Sequence, residues 1–156
     1  MNRTILWCIG SPILLDDGVG PALFAELEAF PAEGITPVNC ETTPENHIAP
    51  LRKNPPRVLI VADAADLGLP GGSVRRMSLE DTGDIPFSSH GIPLSLLLEP
   101  FRDTMEIIVI GIQPARRGFG DRLSPEAADA VKRVADALRS GRTGELERYQ
   151  ENRSPR

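Results

Sequence analysis

Three short stretches of this chain, residues 5–9, 58–62 and 106–110, are apolar at almost every position. A strand with one wet face alternates apolar and polar residues, so uninterrupted runs of this kind belong to strands covered on both faces. Between the runs, apolar residues recur at helical spacing. Leu23, Phe24, Leu27 and Phe30 follow Pro21, and Leu94, Leu97, Leu98 and Phe101 fall within residues 93–101. Val131, Val134, Ala135 and Leu138 follow Ser124-Pro125-Glu126, where Ser124 is suited to cap a helix and Pro125 to open it. Residues 36–40 and 73–77 read as further strands, the arginines of the latter marking a sheet edge, and residues 44–53 as a helix opened by Pro44-Glu45. The alternation predicts one α/β domain over residues 1–140: a twisted, mostly parallel sheet of about five strands with helices on both faces. Residues 141–156 carry almost no apolar content, which predicts a disordered tail.

Charge and cysteine content narrow the partners. A net charge of −5 disfavours nucleic acid and anionic membrane surfaces, and no stretch approaches the roughly 18–20 apolar residues of a membrane span. Met1-Asn2-Arg3-Thr4 enters the first strand directly, with no signal peptide, so a cytoplasmic location is expected. Cys8 and Cys40 fit neither a disulfide framework nor a paired-thiol zinc site. Cys8 reads as a small buried hydrophobe, whereas Cys40 ends the second strand.

In open α/β sheets the carboxyl ends of the parallel strands form the rim that binds ligands. Three side chains fall there: Asp17 after the first apolar run, Asp63 ending the third strand, and His90 before a helical stretch. Each alone reads as a cap or turn residue; together they offer two carboxylates and an imidazole, a set suited to a divalent metal with positions left open. Two loops at this rim, residues 10–20 and 112–124, exceed the roughly 2–6 residues usual for strand-to-helix connections, and long loops there tend to serve binding. Other chemistries fit less well. Gly18-Val19-Gly20 lacks the third glycine of a dinucleotide fingerprint, and Asp16-Asp17 would repel a pyrophosphate. No phosphate-cradling loop and no Gly-x-Ser-x-Gly elbow is present, and a Cys40–His90 thiolate pair lacks a neighbour that would lower the thiol pKa.

With these residues in hand, the chain resembles the maturation proteases of [NiFe] hydrogenases. The likeness is carried by Gly10 with Asp16-Asp17-Gly18-x-Gly20, by Val61-Ala62-Asp63-Ala64, and by Ser89-His90-Gly91-Ile92-Pro93-Leu94. Gly111-Ile112-Gln113-Pro114 and Leu123-Ser124-Pro125 complete it. Pro44-Glu45-Asn46, Ser89-His90 and the Gln113 motif are most similar to the branch serving formate-hydrogenlyase-type or Ech-type hydrogenases. The resemblance implies an endopeptidase that removes the C-terminal extension of a hydrogenase large-subunit precursor after nickel insertion. It places the family's nickel ligands on Asp17, Asp63 and His90. Two departures stand out: Gly-Asn of the first loop is Gly10-Ser11 here, and the family's Asp-Gly-Gly after the second strand is Asn39-Cys40-Glu41. Glu41 or the Cys40 thiol are the candidates to replace the missing carboxylate.

On this reading the precursor supplies the nickel, zinc or cadmium can stand in for it, and the metal positions the substrate. Asp17 or Asp63 is the candidate catalytic carboxylate, activating water as in aspartic proteases. Two other readings compete: a non-catalytic nickel- or precursor-binding chaperone on the same scaffold, and a small-molecule hydrolase.

Overall fold

The computed structural model describes residues 3–87 and 91–150. Its five strands are β1 (Thr4–Ile9), β2 (Ile35–Glu41), β3 (Val58–Ala64), β4 (Val74–Met77) and β5 (Glu106–Ile112). They form one sheet in the order β2-β1-β3-β5-β4; β1, β2, β3 and β5 are mutually parallel, and β4 runs antiparallel to β5. The apolar runs are therefore the inner strands, as their composition requires. Side chains alternate between two cores. Leu6, Cys8, Ile60, Ala62, Ile110 and Ile112 face α1 (Val19–Ala29) and α4 (Pro125–Arg139). Ile5, Trp7, Leu59, Val61 and Val109 face the opposite layer, which contains α2 (Ile48–Lys53) and α3 (Leu94–Leu97).

The helices differ in how well their sequences foretold them. In α4, Ser124 Oγ accepts from the Ala127 amide at 3.1 Å, and all four expected inward residues are buried. The expected helix over 93–101 is broken: α3 stops at Leu97, and a separate 3₁₀ turn covers Glu99–Phe101. Pro100 explains the break, since it has no N–H for the ladder and its ring would clash with the carbonyl four residues back. Leu97 is only half-buried while Leu98 is fully buried, so Leu98 anchors this segment. The helix expected over 44–53 likewise begins as a 3₁₀ turn, Pro44–His47, before α2. Phe30, expected inside, caps α1 from the surface, where the Arg139 guanidinium lies 5.8 Å from its ring centroid.

The tail corrects the sequence reading. Through residue 150 it has a defined course: a 3₁₀ turn at Thr143–Glu145, then a segment running parallel to β4 through a bridge between Arg76 and Arg148. Leu146 packs against one core and Tyr149 against the other. Two well-spaced apolar residues and a free strand edge suffice to dock a segment whose mean composition is polar. Residues 151–156 lie outside the described residues.

Candidate active site

Strand β1 has β2 on one side and β3 on the other, so the chain reverses its winding between β1 and β3. Such a switch point opens a crevice at the carboxyl ends of the strands. Asp17 follows β1 and Asp63 lies in β3, on the two strands that border this crevice.

The loop after β1 is built to bring Asp17 there. Gly10 adopts φ +147°, and a Cβ on it would meet the Asp17 carbonyl oxygen at 2.0 Å, so the loop folds back on itself at a position only glycine can fill. Asp17 Oδ2 accepts from the Ser11 amide at 2.8 Å. Gly20 lets the first turn of α1 rest on the backbone of Ile9, whose carbonyl oxygen would lie 2.1 Å from a Cβ. The two adjacent acids have opposite fates. Asp17 lines a cleft of about 400 Å³, whereas Asp16 is fully buried.

Asp16 joins the two long loops. Its carboxylate accepts from the amides of Ala115 and Arg116 at 2.8 Å, and from the amide and hydroxyl of Ser124 at 2.7 Å. Burial pushes its pKa up, but the Ser124, Arg116 and Ala115 donors outweigh burial and hold it below the ordinary carboxylate value. Leu15 and Gly120 continue the junction, with Leu15 donating to the Gly120 carbonyl and Gly120 to that of Ile13, each at 2.9 Å. The second loop is thereby held over the cleft, where Arg117 and Phe119 line it with Leu14, Phe87 and Pro114. Phe119, which lines the cleft, is 88 % exposed, so the cleft has an apolar side chain at its mouth. Asp66 lines the same cleft and pairs with Arg117 at 3.9 Å.

Asp63 is fully buried, and the residues after it, Ala64 and Ala65, form part of the cleft wall. His90, with Ser88 and Ser89, lies outside the described residues. Among the described residues no group of three His, Cys, Asp or Glu side chains is placed to hold a metal ion.

The chain as a whole is similar to known proteins. A family model described as hydrogenase maturation protease matches residues 22–140. The chain is 32 % identical over 136 residues to the hydrogenase 3 maturation protease of Escherichia coli K12, covering 86 % of this chain and 87 % of that protein. The chain belongs to the hydrogenase maturation protease family. The solution structure of an Escherichia coli endopeptidase, HycI, superposes with a TM-score of 0.88 at 29 % identity, covering 97 % of this chain and 99 % of that one. A [NiFe] hydrogenase maturation protease from Thermococcus kodakarensis shares the fold, with a TM-score of 0.79 at 22 % identity over 90 % of this chain and 92 % of that one.

Within this maturation protease, the departure after β2 has a structural account. Glu41 adopts φ +52°, a left-handed conformation that favours glycine, and glycine is what the resembling family commonly carries there. Its carbonyl accepts from Gly10 at 2.7 Å, and its side chain is exposed. Cys40 is fully buried; burial first, then Cys8 and Asp63, push its thiol pKa up, so it stays protonated near neutral pH and offers no thiolate nucleophile. Burial likewise pushes Cys8 up to about 12, in keeping with its place in the core.

Sequence reasoning missed three features. Asp16 entered only beside Asp17, Asp66 and Arg117 were not singled out, and Gln113 was only part of a motif. In the structure Gln113 Oε1 accepts from the Leu67 amide at 2.5 Å and fixes the turn after β3. Gln113 signalled itself only as a polar residue directly after a buried strand.

Proposed function

We propose that this peptidase removes the C-terminal extension of a [NiFe] hydrogenase large-subunit precursor, that it acts after nickel insertion, and that it works in the cytoplasm. Among the described residues no helix is long and apolar enough to cross a membrane. The observation that carries the proposal is the cleft at the β1/β3 switch point, with Asp17 in its wall and Asp63 directly before wall residues of β3.

The nickel belongs to the substrate, held by the precursor's own cysteine cluster. Asp17, Asp63 and His90 contact it and so register the scissile bond in the cleft; positioning of this kind converts an encounter into a near-unimolecular step. A carboxylate, Asp17 or Asp63, takes a proton from the attacking water. The water oxygen bonds to the scissile carbonyl carbon, the C–N bond breaks, and the amine leaves with a proton. This is aspartic-type chemistry, in a cleft whose wall includes the apolar Leu14, Phe87 and Phe119.

The test is incubation with nickel-loaded and nickel-free precursor, read by intact mass. Only the loaded form should be shortened, and His90→Ala should abolish the cut. Equal cleavage of both forms overturns the nickel requirement. Binding of either form without cleavage identifies a chaperone instead. Soaking crystals with zinc or cadmium should give density contacting Asp17, Asp63 and His90 together, at ligand distances near 2 Å for zinc.

A further inference from the structure

We propose that Phe119 is a substrate-contact residue of the cleft. It is carried on a three-residue flap that folds onto the bound peptide and holds one of its apolar side chains near the cut. The inference rests on the protease reading above.

The flap is defined by what is fixed on either side of it. Before it, the Ala115 and Arg116 amides donate to Asp16 Oδ2 at 2.8 Å, and the Arg116 carbonyl accepts from the Asp16 amide at 3.3 Å. After it, Gly120 accepts from Leu15 and donates to Ile13, each at 2.9 Å. Both anchors belong to the loop that carries Asp17, a candidate catalytic carboxylate. Between them, among the described residues, Arg117, Gly118 and Phe119 make no backbone–backbone hydrogen bond. Glycines flank Phe119, and Gly118 adopts φ +130°, in the region that favours glycine. A Cβ on Gly118 would meet only Leu15 Cδ1, at 3.8 Å, so glycine serves backbone freedom there and not close packing. A short tip, fixed at both ends and free between them, is the geometry of loops that close over substrates.

The side chain on this tip supports no core. Phe119 is the most exposed large hydrophobic among the described residues and belongs to neither apolar cluster, yet it lines the cleft. A single exposed phenylalanine is ordinary on a surface. One mounted beside a hinge at the mouth of a cleft is placed to close on what enters. The rest of the wall selects the occupant. Leu14, Pro86, Phe87 and Pro114 are apolar, and the opposite charges of Asp66 and Arg117 lie 3.9 Å apart and offset each other. Asp17 is the remaining charged residue of the wall. An apolar wall around one carboxylate suits an apolar side chain next to the peptide bond that is cut.

The experiment uses the full-length chain and nickel-loaded precursor, and measures the dissociation constant of their complex beside the kinetics. Phe119→Ala should raise KM and the dissociation constant about tenfold. It should leave kcat and the urea unfolding midpoint nearly unchanged, because the side chain touches substrate and no core. Phe119→Leu, which keeps an apolar side chain, should restore most of the affinity. Each apolar residue within three positions of the cut is then replaced by alanine in the precursor. One of these changes should cost the native protein about tenfold, and cost Phe119→Ala nothing further. Amide exchange at residues 117–119 should slow when precursor is bound. An unchanged KM in Phe119→Ala, additive losses at every precursor position, or equally fast exchange with and without precursor overturns the proposal. Cleavage by the native chain then leaves the protease reading standing. Binding that weakens in Phe119→Ala, with no cleavage by any form, removes the protease reading and keeps the contact. No binding by any form overturns both.

Discussion

At Asp16 four donors from a loop about a hundred residues away converge on one buried carboxylate. Asparagine there keeps the shape but turns an NH₂ toward donors, leaving at least one buried amide unpaired. Asp16→Asn should therefore cost about 3 kcal/mol, read from the urea midpoint. The pH dependence follows from the depressed pKa. The native carboxylate stabilises the fold above its unfolded pKa, and that stability is lost as pH falls through the folded value. The variant has no such group, so its stability should fall less steeply on the acid side. Glu41 shows the opposite economy at the residue scale: it keeps a left-handed turn without a glycine and holds Gly10 through its carbonyl alone.

Among the elements, the layer that carries α3 is the most irregular, and its strength is concentrated in few side chains. Leu98 is fully buried in the cluster with Trp7, Leu59 and Phe101, whereas Leu97 only packs against that cluster's margin. Leu98→Ala should lower stability by about 2–5 kcal/mol through the cavity it leaves, and Leu97→Ala by clearly less. Paired urea denaturation curves decide it; equal losses would mean that the helical stripe read from the sequence persists past Pro100. Processing activity per folded molecule should survive both changes, because neither residue lines the cleft.

Over the whole molecule, stability is graded from the centre of the sheet outward. β3 lies between β1 and β5 with both faces covered, while the tail is attached by main-chain bonds to one residue of β4, an exposed ion pair to Arg75 and two half-buried side chains. Native-state hydrogen exchange should show β3 amides opening only with global unfolding. The Tyr149 amide should exchange through a local opening of much lower free energy. Equal protection at the two would make the tail an integral strand.

The sequence by itself determined the inner strands, the two-sided cover and the capped start of α4, because each follows from local rules: apolar runs, helical spacing, and a Ser-Pro pair at a helix start. It also put Asp17, after the first strand, and Asp63, at the end of the third, at the carboxyl rim, since a residue that follows a parallel strand has only one rim to occupy. It could not tell Asp16 from Asp17. Which of two adjacent acids is buried depends on the donors of residues 115–124, and nothing local marks those as neighbours. Nor could it seat the tail, whose composition alone predicts disorder. Only the tertiary structure supplies the open edge of β4, and one strand pairing with two apolar contacts is enough to hold a polar segment against it.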